Sequence, residues 1–142
     1  MKNFEYLEPK TVGEACRLLA KHNGEAKVFA GGAHLTILMK QGLYQPKVLI
    51  NLKKVPGLGG IHFDVKKGLT LGALVTHHNI ETSAVVRENC PVLSEVEKEV
   101  ANIRVRNMGT IGGNLVSGEP LTALGPRFIA LCGTIPNAKA GG

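Results

Sequence analysis

Lys27-Val28-Phe29-Ala30-Gly31-Gly32-Ala33-His34-Leu35-Thr36-Ile37-Leu38-Met39-Lys40 runs from a short apolar strand through two glycines into a helix. Leu35, Leu38 and Met39 recur at helical spacing. Val48-Leu49-Ile50-Asn51-Leu52 reads as a second buried strand. Strand, glycine turn, helix and strand make a small βαβ unit, in which the strands pair in parallel. Glycines at such a turn let the backbone present consecutive amides to one point, with no Cβ in the way. A nest of amides attracts anions, and the helix that opens there adds a partial positive charge.

Upstream, Phe4-Glu5-Tyr6-Leu7 reads as an edge strand stopped by Pro9. Thr11 and Glu14 have capping-box spacing, and Asn23-Gly24 supplies a left-handed exit for the helix that follows. Downstream, Pro56-Gly57-Leu58-Gly59-Gly60 reads as a hinge or lobe boundary between residues 1–55 and residues 56–142. Ile61 to Val65 alternates like a half-buried strand, Lys66-Lys67-Gly68 turns the chain, and Leu69 to Leu74 returns antiparallel. Thr76 to about Ala101 reads as helical, broken near Asn89-Cys90-Pro91. Arg104-Val105-Arg106 is expected to be a brief strand, with both arginines on one face. Gly109-Thr110-Ile111-Gly112-Gly113-Asn114 is a second glycine turn, and a last helix is expected from about Pro120 to Leu131.

Composition narrows the class of function. Hydrophobic residues are 44% and charged residues 20% of the 142 residues, which suits a folded core. The net charge of +6 is scattered, with no basic arm and no interleaved aromatics, so nucleic acid is not the expected partner. Cys16, Cys90 and Cys132 are odd in number and not closely spaced, which argues against a disulfide framework; with no C-x-x-C or His/Cys cluster to offer a metal site, they read as reduced core thiols of a cytoplasmic protein. No apolar run approaches the length of a membrane span. His22 and His62 read as surface residues, and Ser94-Glu95-Val96-Glu97-Lys98-Glu99 as a solvated helix face. No carboxylate partner is identifiable for His77 or His78, so neither is assigned an acid or base role.

The two glycine turns, taken together, could each hold one phosphate of a pyrophosphate. Neither has the spacing of a dinucleotide fingerprint or of a P-loop, so the turns alone do not name the ligand.

The resemblance that names one lies in longer runs. Ala30-Gly31-Gly32-Ala33-His34-Leu35 with Met39-Lys40 resembles the first FAD motif of the flavoprotein subunits of molybdenum hydroxylases, the xanthine and carbon monoxide dehydrogenase group. Arg104-Val105-Arg106-Asn107-Met108-Gly109-Thr110-Ile111-Gly112-Gly113-Asn114 resembles the second motif. Between them, Leu71-Gly72-Ala73-Leu74-Val75-Thr76-His77-His78 is similar to the family's strand-to-helix junction. The likeness implies an α+β fold of the vanillyl-alcohol-oxidase type: a small βαβ lobe followed by a mixed, largely antiparallel lobe, here truncated at the C-terminus.

The resemblance also implies a site. Ala30, Gly31, Gly32, Ala33, His34 and Leu35 would line one side of FAD, and Thr110, Ile111, Gly112, Gly113 and Asn114 the other. Backbone amides at both turns would hold the pyrophosphate. Thr76, His77, Ser117 and Glu119 would lie near the cofactor. The implied partners are a molybdopterin-containing large subunit and a small subunit with [2Fe–2S] clusters, and the implied role is electron transfer through FAD to an external acceptor. No catalytic or metal-ligating residue is expected in this chain. Where the family usually carries an acidic residue after the second motif, the sequence has Ala123. A competing reading is an assembly piece that keeps the fold without flavin.

Overall fold

The computed structural model describes residues 3–117 and 134–135. The elements run β1 (Glu5–Leu7), α1 (Val12–Lys21), β2 (Ala26–Phe29), α2 (Ala33–Lys40), β3 (Val48–Asn51), β4 (Ile61–Asp64), β5 (Gly68–Leu71), α3 (His77–Thr82), α4 (Ala84–Asn89), α5 (Pro91–Lys98), α6 (Ile103–Met108) and α7 (Ile111–Ser117). The expected last helix, Glu119, Ala123 and Cys132 lie outside the described residues.

The first part is the parallel unit that the βαβ pattern predicts. β3 is central, with β1 and β2 both pairing to it in parallel. All four residues of β3 are buried, as a strand covered on both faces must be. Ala15, Ala26, Val48 and Ile50 form its core, with Leu18 and Leu19 of α1 packed against them. α1 starts where Thr11 Oγ1 accepts from Glu14 N at 3.1 Å. Glu14 reaches back one residue further than expected, accepting from Lys10 N at 2.7 Å. The chain leaves α1 through Asn23 and Gly24, both at positive φ.

Among the described residues, the second part has a two-stranded antiparallel sheet, β4 with β5, and five short helices. Asp64 Oδ1 accepts from the amides of Lys66 and Lys67 and so shapes the hairpin turn. Val75, Ile80, Val86, Leu93 and Ile111 form the core. The helical stretch after Thr76 is broken twice. The break before Pro91 is expected. The break at Ser83 is not, and there the Ser83 hydroxyl accepts from Val86 N at 3.3 Å to cap α4.

Three other expectations change. Arg104-Val105-Arg106 is helical, not a strand, because Asn102 Oδ1 accepts from the amides of Arg104 and Val105 and nucleates α6. Two residues apart in a helix, the arginines point to nearly opposite sides. Arg106 bonds Glu81 Oε2 at 3.0 Å and the Val100 carbonyl at 3.2 Å, while Arg104 is exposed. The second glycine pair sits in the first turn of α7 and not in a loop. At 56–60 only the hinge alternative gives way, since Leu74 N donates to Leu58 O at 2.8 Å and Gly72 N to Gly60 O at 2.9 Å, both within residues 56–142.

No helix among the described residues is long and apolar enough to cross a membrane.

Candidate functional site

The carboxyl ends of parallel strands are where open α/β sheets leave room for ligands. β2 ends at Phe29 and β3 at Asn51, paired in register. The turn after β2 carries Ala30 and Gly31, and the turn after β3 carries Lys53. These three line a groove of about 270 Å³ whose other wall comes from the second part of the chain. Leu74 and Thr76 reach it from the junction before α3, and Asn107, Met108 and Thr110 from the second motif. The two motifs, far apart in sequence, thus face each other across one groove.

Close backbone approach brings them there. A Cβ on Gly31 would sit 1.9 Å from the Met108 carbonyl oxygen and 3.1 Å from the Gly109 Cα. Only glycine allows that contact. Gly32 takes φ +83 and starts α2 with no side-chain cap, so the first amides of this helix open on the end of the sheet that bears the groove. His34 is exposed on the first turn of α2, and Leu35 is partly buried.

The second motif is held by a different device. Thr76 and Thr110 form an antiparallel bridge. Around it His77 N donates to Gly109 O at 3.1 Å, Ile111 N to Val75 O at 2.9 Å and Gly112 N to Ala73 O at 3.0 Å. Gly113 N donates to Thr110 Oγ1 at 3.2 Å and Asn114 N to Thr110 O at 2.9 Å. The amides of residues 111–114 are therefore already engaged within the protein, unlike the free nest that two adjacent glycines suggest. Gly112 is required by packing, as a Cβ there would meet Ala73 O at 2.7 Å. Ile111 lies in the core. Ser117 Oγ donates to Asn114 O at 2.8 Å, and Asn114 Oδ1 is buried with no hydrogen-bond partner among the described residues.

His77 has the carboxylate partner that sequence reading did not find. Its Nδ1 is 2.7 Å from Glu97 Oε2, with both side chains almost fully buried. The ring does not reach out to solvent. It backs Gly109, whose Cβ would come within 3.0 Å of His77 Cδ2. Glu97 Oε1 is buried without a partner. Glu97 hides in an acidic run, yet it shares one face of α5 with the buried Leu93 and Ser94. That spacing was the available signal. Glu95, Lys98 and Glu99 do form the solvated face.

Lys53 was also missed. The available signal was its place just beyond a buried parallel strand. Its neighbour Lys54 bonds Glu8 Oε2 at 2.8 Å. The Lys54 hydrogen bond, then that from Asn51, holds the Glu8 carboxyl below its ordinary range, and the same contact raises Lys54. Lys53 points elsewhere, its ammonium 5.0 Å from the centroid of the Phe29 ring.

The lining of this groove suits an anionic group. None of the described residues lining it is acidic, one is a lysine, and two are threonines. Gly31, with no side chain, lets the Met108 carbonyl close up against it and so sets the spacing of the two walls.

Comparison with known proteins agrees with the fold and names the family. Residues 2–141 match the family model of the FAD binding domain in molybdopterin dehydrogenase, and the chain belongs to that family. Its cofactor is FAD. The chain is 39% identical over 117 residues to the carbon monoxide dehydrogenase medium chain of Hydrogenophaga pseudoflava, covering 82% of this chain and 40% of that one. It is 35% identical over 129 residues to the alpha subunit of the 6-hydroxypseudooxynicotine dehydrogenase complex of Paenarthrobacter nicotinovorans, covering 91% and 43%. A solved carbon monoxide dehydrogenase from Hydrogenophaga pseudoflava superposes with TM-score 0.79 at 39% identity, covering 84% of this chain and 41% of that one. The chain thus spans less than half the length of these relatives, which are subunits of dehydrogenases.

Proposed function

We propose that this chain binds FAD in the groove between its two glycine motifs, as the flavoprotein component of a molybdenum-containing hydroxylase. The observation that carries the reading is the contact of Gly31 with Met108 and Gly109, which joins the two motifs at an opening free of acidic residues among those described. When bound, FAD would supply the redox chemistry for electron transfer between the iron–sulfur clusters of a small partner subunit, served by a molybdopterin-bearing large subunit, and an external acceptor.

The chain's own residues bind and orient. The opening amides of α2, at Gly31, Gly32 and Ala33, face the pyrophosphate. Across the groove Thr110 supplies a hydroxyl, while the Thr76 hydroxyl caps α3, accepting from Asn79 N and donating to Asn79 Oδ1. Thr110 is held rigid by its bridge to Thr76 and by the bond from Gly113. With its amides engaged, the second motif contributes shape and side chains more than a nest. His34, Leu35, Asn114, Ser117 and Glu119 are proposed to lie along the rest of the cofactor. His77 acts from behind, holding Gly109. The proposed setting is the cytoplasm, with Cys16 and Cys90 as free thiols.

The test is the visible spectrum of the purified protein after incubation with FAD and desalting. Retained flavin absorbance near one equivalent is the expected result. A colourless protein that is nevertheless folded, by circular dichroism, would leave the family intact and support the assembly piece.

A further inference from the structure

We infer that Lys53 is the cation that holds the FAD pyrophosphate, a role resting on the reading of the groove as the flavin site. The inference begins with the unequal fates of two adjacent lysines. Asn51 ends β3 with its side chain buried, and its Oδ1 accepts from Lys53 N at 3.1 Å. Its Nδ2 donates to Glu8 Oε1 at 3.1 Å. This small turn splits the pair. Lys54 is neutralised by Glu8. Lys53 makes no ion pair among the described residues and lines the groove with Ala30, Gly31, Thr76 and Thr110.

The Lys53 ammonium is not left to wander. It lies over the Phe29 ring, which is attractive but does not neutralise a cation. The ring is itself held in place. A Cβ on Gly32 would be 2.4 Å from Phe29 Cε2 and Cζ, so the bare glycine is what lets the ring lie there. Phe29, Gly32 and Lys53 thus form one assembly at the carboxyl ends of β2 and β3. It sets an unneutralised cation over the ring that packs on Gly32, the residue that opens α2.

The pyrophosphate is the anionic part of FAD, so a cation placed here meets it and not the isoalloxazine. That makes the inference separable by ligand. Riboflavin has the same ring system and no phosphate. Lys53→Met is expected to weaken FAD binding roughly tenfold to a hundredfold, the range for a hydrogen bond to a charged group. It should also flatten the dependence of affinity on salt. Riboflavin binding, weak in either protein, should not change. Lys53→Arg should restore most of the FAD affinity, and Phe29→Leu should lose a smaller part.

Fluorescence titrations of the 142-residue chain and these variants, with circular dichroism melts as a check on folding, decide it. FAD affinity of Lys53→Met equal to that of the unaltered chain would overturn the role of Lys53 and leave the flavin site standing. Equal losses for FAD and riboflavin would overturn it too, by showing that Lys53 serves structure. No saturable FAD binding by the unaltered chain would overturn the flavin site and, with it, this role.

Discussion

At the scale of single residues, the glycines do two separate jobs. Gly32 is needed for its left-handed backbone, and Gly31 for a contact with Met108 that no side chain permits. Adjacent glycines show in a sequence, but whether they free amides or admit a neighbouring backbone depends on what packs there. Gly112 reads like Gly31 and turns out to be a packing contact inside a helix. Gly31→Ala is expected to cost about 2 kcal/mol or more through overpacking, read by thermal denaturation, and to separate the two walls of the groove. The buried His77–Glu97 pair is the other point where one side chain matters greatly. Glu97→Ala leaves an imidazole buried without its partner, and a loss of about 3–5 kcal/mol in urea denaturation is expected. Glu97→Gln keeps the shape and a hydrogen-bonding oxygen, so its loss should be nearer to about 1–3 kcal/mol. If both variants are as stable as the parent, the pair does not hold Gly109.

At the scale of elements, what was legible followed local rules. The Thr11 cap, the Asn23-Gly24 exit and the β2–α2–β3 unit each rest on residues close in sequence. What failed needed either a cap competing with a strand pattern or a distant partner. Arg104-Val105-Arg106 alternates as a strand does, but Ala101 in the left-handed region and the Asn102 cap commit the chain to α6. Ser83 broke a helix by the same kind of capping. Glu97 looked solvated because its neighbours in the run are charged, while the fold brings His77 to it from twenty residues earlier. α6 matters beyond its length, because its last residue, Met108, presents the carbonyl that meets Gly31. Asn102→Ala removes an acceptor shared by two amides and is expected to cost about 0.5–2 kcal/mol, measured by chemical denaturation. FAD affinity should fall with it. An unchanged affinity would show that the wall formed by Asn107 and Met108 does not depend on this cap.

At the scale of the whole molecule, the groove is made by joining two parts that have separate cores. A parallel sheet offers its carboxyl ends, and a pinned backbone segment closes on them. The general location could be argued from the glycine turns and from the rule for parallel strands. The identity of the ligand could not, and came instead from the resemblance of the longer motifs, which the family match then confirmed. The place of Lys53 just beyond a buried strand did not single it out, because nothing local marks which of two lysines Glu8 will claim. The central claim is that FAD occupies this groove, and amide chemical shifts of the 15N-labelled protein, followed as FAD is added, test it most directly. Saturable shifts concentrated at Gly31, Gly32, Ala33, Lys53, Thr76 and Thr110 are the expected result. Saturable binding that leaves these amides unmoved while shifting others would contradict it.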